Sequence, residues 1–178
     1  MAQSIRNIVC TINESLATVF KGAIFYGVAS QVKTDNTYQP VVNEKPVSYD
    51  DSYALQVYHK INGAVISKTK GYGREENTIN TFNMSMIVFN NEKSTKLKSD
   101  EVAMILQAYF SKIITSESIT PLNFILNTEV IFGTEYRGHT FSIPESMSLM
   151  QFNYTVAISF KSGCFDLCPE DFSHCKNN

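Results

Sequence analysis

The sequence predicts an α+β fold: a largely antiparallel sheet, with an N-terminal helix and a second helix packed on one face. Three observations carry this. Residues 4–21 and 99–114 repeat their apolar side chains with the period of a helix; several segments alternate apolar and polar residues as strands do; and the element order is helix, strand, hairpin and strand, helix, strand, strand. At 178 residues the chain fits one domain, which buries roughly 70% of its unfolded surface. We place that domain at 1–163 and a cysteine-bearing tail at 164–178.

The first helix is expected over Ser4 to Lys21. Ile5, Ile8, Val9, Ile12, Leu16, Val19 and Phe20 share one face, Ser4 is a natural N-cap and Gly22 a natural C′ residue. Ala23 to Val32 favours a strand, weakened at Gly27. Thr34 to Ser52, with two prolines and little periodicity, reads as an extended surface excursion, a length that is unusual inside a small domain and often makes contacts. Tyr53 to Ile61 alternates, and Asn62-Gly63 directly after it signals a hairpin turn, returning through Ala64 to Lys68. The glycine-punctuated stretch at 69–77 reads as a projecting loop. Ile79 to Phe89 is a long strand with Phe82, Met84, Met86 and Val88 on the core side.

The second helix is expected over Ser99 to Ile114, where Val102, Ile105, Leu106, Tyr109, Phe110 and Ile113 line one face and Asp100 and Glu101 sit at the positive end. Pro121 punctuates the next connection. Two strands close the domain, at Thr128 to Tyr136 and Met150 to Phe160. In the latter Phe152, Tyr154, Val156, Ile158 and Phe160 alternate with Gln151, Asn153, Thr155, Ala157 and Ser159.

Charge excludes several function classes. The net charge is −2, and charged residues are 18% of the chain against roughly 25% in an average globular protein. Ser, Thr and Asn supply the polarity instead, 47 residues in all. A basic nucleic-acid protein, an acidic tail protein and a proline-rich or collagen-like chain are all excluded. The longest uncharged apolar run, Gly22 to Ala29, is 8 residues, too short for a membrane helix of about 20. Met1 to Ser15 has no apolar core of a secretory signal, so a cytoplasmic setting with reduced thiols is the expectation.

Candidate chemistry is sparse. Cys164, Cys168, His174 and Cys175 are soft ligands within 12 residues, but the spacing is not that of a zinc knuckle. The alternatives are a disulfide, Cys164–Cys168 or Cys168–Cys175, or a terminal segment packing Phe165 and Phe172 with free thiols. Cys10 reads as a small core residue. The stretch with Lys68, Lys70, Tyr72 and Arg74 lacks the spacing of a phosphate loop, and Glu75 and Glu76 follow at once. His59, His139 and His174 lie far apart with no nucleophile elbow or HExxH, and Asp50-Asp51 is a lone acidic pair, so no catalytic set, metal or cofactor is expected. Low charge with abundant Tyr, Phe and Met is the composition of surfaces that other protein chains cover.

Taken in order, the helix Ser4 to Lys21, the hairpin around Asn62-Gly63, the strand Ile79 to Phe89, the helix Ser99 to Ile114 and the strand Met150 to Phe160 resemble the bacteriophage head–tail connector and tail-completion (tail-terminator) family. The Asn, Ser and Ile usage is similar to that of virion proteins of crAss-like phages. The resemblance is one of element order over most of residues 1–160. It implies a structural virion protein, assembled in the host cytoplasm into a homo-oligomeric ring that joins adjacent connector or tail proteins and passes DNA without reading it. Lys68, Lys70, Tyr72 and Arg74 would then face the lumen or a neighbouring ring, and Tyr38, Pro40, Pro46 and Tyr49 would form a subunit clasp. The competing expectation is a small ligand-binding or enzymatic domain with a pocket on the sheet face at His59 and Tyr58.

Overall fold

A computed structural model describes residues 4–70, 76–113, 119–140 and 143–161. In chain order these form α1 (Ile5–Ala17), β1 (Ala23–Thr34), β2 (Thr37–Val42), β3 (Lys45–Pro46), β4 (Leu55–Lys70), β5 (Glu76–Asn91), α2 (Glu92–Thr95), α3 (Ser99–Ile113), β6 (Ile119–Ile125), α4 (Thr128–Glu135) and β7 (Met147–Lys161). The strands make one seven-stranded sheet in the order β3-β2-β1-β4-β5-β7-β6. Every pair is antiparallel except β1 with β4. The α+β class is therefore as the sequence reading has it.

Helices α1 and α3 share the first face, for the reason their periodicity gives. Ser4 accepts from the Asn7 N–H at 3.2 Å, which satisfies one orphan donor of the first turn. Ile8, Val9, Ile12 and Leu16 then point into the sheet, as do Val102, Leu106 and Phe110 of α3. Opposite them stand Leu55 and Val57 of β4, Met84, Met86 and Val88 of β5, and Met150, Phe152, Tyr154 and Val156 of β7. Each fully buried side chain of this kind contributes about 1.5–3 kcal/mol. Phe110 lies 4.3 Å from Phe152, ring centre to ring centre, fixing α3 over β7.

The second face carries its own core, which the sequence reading did not anticipate. Thr128–Glu135 form helix α4, with Tyr136 as its C-cap, not the strand their Val, Ile and Phe suggest. Asn127 accepts from the Val130 N–H at 3.0 Å, and Ile131, Phe132 and Glu135 are buried along one helical face. This cap and spacing override β propensity, which mainly reports a half-buried environment. Phe132 and Tyr136 stack at 5.2 Å, and Tyr136 meets Phe89 edge-on at 6.0 Å.

Two further readings are corrected. Asn62-Gly63 is not a turn: β4 runs straight through it, and the strand register shifts there between Ile61 and Gly63. A type I′ turn needs positive φ at both residues, which neither has. An inserted residue followed by glycine suits a bulge equally well. The chain reverses between Lys70 and Glu76 instead. The projecting loop expected at 69–77 is corrected at its ends, since Thr69 and Lys70 belong to β4 and Glu76 and Asn77 to β5; its remainder, residues 71–75, lies outside the described residues.

Residues 34–52 are not a free excursion either. They fold into β2 and β3 and extend the sheet, with reversals at Asp35 and at Asn43-Glu44, all three in the left-handed region. Gln56, almost wholly buried, holds the following segment down: it donates to the Ser48 carbonyl at 2.9 Å and accepts from the Asp50 N–H at 2.7 Å. Gly138 (φ +87°) lies so close to the β1–β2 turn that a Cβ there would overlap the Asn36 carbonyl. Strand β6, absent from the sequence reading, is an edge strand, which is where Pro121 is tolerated.

Candidate functional site

Helix α4 brings one acid over the sheet. Glu135 is 2% exposed. Its Oε1 accepts from Lys60 Nζ at 2.6 Å and its Oε2 from the Tyr58 hydroxyl at 3.2 Å. The Glu135 carbonyl accepts from Gln31 Nε2 at 3.1 Å, while Tyr136 donates its hydroxyl to the Val47 carbonyl at 2.7 Å. Burial, the neighbouring Tyr136 and the Glu135 charge hold the Tyr58 hydroxyl well above its ordinary range, and burial likewise raises Tyr136. Both phenols stay neutral donors. With a hydrogen bond at each carboxylate oxygen, the cluster is a fastener joining β1, β4 and α4.

On the first face His59 is fully buried. Its Nε2 lies 2.8 Å from Asn13 Oδ1 and its Nδ1 2.7 Å from the Tyr154 hydroxyl. An amide oxygen only accepts, so Nε2 carries the proton and Tyr154 donates to Nδ1. Burial lowers the imidazole from 6.5 to about 3, so the ring is neutral and serves to tie α1 to β4 and β7. The sheet-face pocket envisaged at His59 and Tyr58 is not formed: both side chains are 0% exposed and hydrogen-bonded.

An open cleft of about 620 Å³ lies where β1 turns away from β4. Ile5, Arg6, Gln31, Asn43, Lys60 and Ile61 line it, with Lys60 already paired to Glu135. Beyond this fork β4, β5 and β7 run on as an arm, paired from Ile61↔Met84 to Lys70↔Glu76 and as far as Asn77↔Lys161. One face of the arm carries an uncharged amide and hydroxyl row. Asn62 Nδ2 donates to Ser85 Oγ at 2.6 Å, Ser85 donates to Asn153 Oδ1 at 2.7 Å, and Asn153 Nδ2 donates to Asn123 Oδ1 at 2.9 Å. Gln151 Nε2 joins the row at the same Asn153 oxygen, 2.7 Å away. The row crosses β4, β5, β7 and β6, which gives part of the Ser and Asn surplus a use in cross-strand bonding.

The residues singled out in the sequence fall as follows. Lys68 and Lys70 lie in β4, opposite Thr78 and Glu76, while Tyr72 and Arg74 lie outside the described residues. Three of the four clasp residues are engaged within the chain. The Tyr38 N–H donates to the Arg137 carbonyl at 2.8 Å, Pro40 is buried and accepts from the Val47 N–H, and Tyr49 stacks on Phe89. Pro46 is exposed. Asp50 is solvent-exposed and accepts from the Ser52 N–H at 2.9 Å; hydrogen bonds from Ser52 lower its pKa. His139 stands edge-on to Tyr136. Cys10 is half-buried and takes part in a disulfide, so it is not the plain core thiol expected. Cys164, Cys168, His174 and Cys175 lie outside the described residues. Among the described residues no three His, Cys, Asp or Glu side chains gather to hold a metal, and no helix is long and apolar enough to cross a membrane.

Sequence reasoning missed Glu135 and Gln56. One lay in a presumed strand and the other looked like a solvent-facing residue of an alternating strand. No family model matches the chain, and no curated protein matches it.

Proposed function

We propose that the chain is a structural virion protein of the head–tail connector or tail-terminator type, which assembles into a homo-oligomeric ring at a neck or tail junction and leaves a passage for DNA. The observation that carries this reading is the arm of β4, β5 and β7. It projects beyond the fork in the sheet and bears Val65 and Ile66 at 60% and 68% exposure. A monomer gains nothing by exposing large aliphatic side chains on a long arm in water, whereas a chain that contacts neighbours buries them. The fully engaged state of Tyr58, His59 and Glu135 further supports assembly over catalysis at the sheet.

In this reading Lys68, Lys70, Tyr72 and Arg74 face the lumen or a neighbouring ring. The cations among them touch passing phosphates weakly and without sequence readout. Electron microscopy of the purified full chain tests the proposal: closed rings support it, and a monomer at every concentration that also joins no connector ring rejects it.

A further inference from the structure

Cys10 lies in the middle of α1 and is disulfide-bonded. The chain has four cysteines, and the other three, Cys164, Cys168 and Cys175, all follow β7. One of these three is therefore its partner, on a stretch, residues 162–178, that lies outside the described residues. The described residues set how far that partner must reach. Lys161 ends β7 opposite Asn77, which pairs with Thr69 near the tip of the arm. Helix α1 starts at the fork, where Ile5 and Arg6 stand beside Lys60 and Ile61, and its Asn13 is bonded to His59. His59 pairs with Met86 and Met86 with Phe152, so Asn13 stands level with Phe152. From Phe152 to Lys161 is 161 − 152 = 9 residues of strand, about 30 Å. Cys10 is three residues nearer the fork, which leaves about 25 Å. The path is longer than that, because α1 stands a layer above the sheet.

Reach separates the candidates. Cys164, three residues beyond Lys161, spans at most about 11 Å. Cys168, seven residues on, spans about 25 Å only with every residue fully stretched. Cys175, fourteen residues on, spans up to about 50 Å and arrives with slack. A second observation lies on the route. Asn80 stands opposite Ile158 on the face of the arm that continues the α1 core, and its amide oxygen is buried with no hydrogen-bond partner among the described residues. A buried acceptor of this kind requires a donor.

We infer that residues 162–175 fold back over this face of the arm and that Cys175 closes the disulfide with Cys10, a latch between the first helix and the C-terminal tail. A backbone N–H of the returning segment supplies the donor that Asn80 lacks. Closing the latch removes two thiol protons and two electrons; oxidised glutathione takes them up by exchange and leaves as two thiols. A reducing cytoplasm keeps the latch open, and an oxidising medium shuts it. The latch is independent of the assembly reading.

The test maps the bond in the full chain after incubation with oxidised glutathione. Thiols are alkylated, and the chain is cut after Lys and Arg and before Asp, without reduction. Asp166 and Asp171 then put Cys164, Cys168 and Cys175 on three different fragments. The expected product is residues 7–21 joined to residues 171–176, from protein that runs at the 20.0 kDa protomer mass without reductant. Dithiothreitol lowers the thermal midpoint of the wild type and of Cys164→Ser with Cys168→Ser, and leaves that of Cys10→Ser unmoved. Cys10 joined to the fragment of Cys164 or Cys168 overturns the assignment to Cys175. Cys10 recovered alkylated, or bonded only within a covalent pair of chains, overturns the latch.

Discussion

Glu135 shows what a single side chain does here. It is an acid on a short helix, sealed under the sheet, with Lys60 on one oxygen and Tyr58 on the other. Replacing it with Ala strands the Tyr58 hydroxyl and uncouples Lys60, which is one-fifth exposed and partly recovers its hydration. We expect Glu135→Ala to cost about 3 kcal/mol, at the low end for breaking a buried pair, measured by urea unfolding at pH 7; a loss below 1 kcal/mol would show that α4 does not depend on the pair. His59 gives a pH-dependent counterpart. Its folded value of about 3 lies below the free value of 6.5, so between these the unfolded chain takes up a proton that the folded chain refuses. The stability this supplies is complete above pH 6.5 and falls as the pH drops toward 3, by up to about 1.4 kcal/mol per pH unit. His59→Gln should flatten that stretch of the stability–pH curve. An unchanged slope would assign it to carboxylates instead.

At the scale of elements, α4 is the piece whose formation hangs on one cap. Asn127 is its N-cap, and Asn127→Ala should lower stability by about 1 kcal/mol, with Asn127→Asp restoring it, both read from thermal midpoints. Elements with strong periodicity were legible in the sequence. The faces of α1, α3, β5 and β7 follow directly from Ile8 to Leu16, Val102 to Phe110, Met84 to Val88 and Phe152 to Ile158. Legibility ended where one residue pattern serves two geometries. Asn62-Gly63 suits a turn or a bulge, and what decides between them is the non-local match of β4 to β5, fifteen registered pairs long. Val130, Ile131 and Phe132 suit a strand or a helix, and the cap at Asn127 decides. The candidate contacts were less legible still. Nothing local distinguishes Leu122 or Val65 from a core residue, because exposure depends on which neighbours the fold supplies.

For the whole molecule, the composition takes on a structural sense. Low charge and abundant Ser, Thr and Asn first only excluded partners, yet in the fold Asn62, Ser85, Asn153 and Asn123 form one bonded row across four strands. Chemistry that looked available in the sequence, at His59 and Tyr58, is consumed by holding helices to the sheet. What stays exposed includes an arm and the aliphatic side chains of Val65, Ile66, Leu122 and Val130, and the proposal is that such surfaces join copies of the chain. Native mass spectrometry of the full-length chain over a range of concentrations tests this most directly. A single closed oligomer, a fixed multiple of the 20.0 kDa protomer that persists on dilution, is the predicted result. A species that remains at the protomer mass throughout would contradict it.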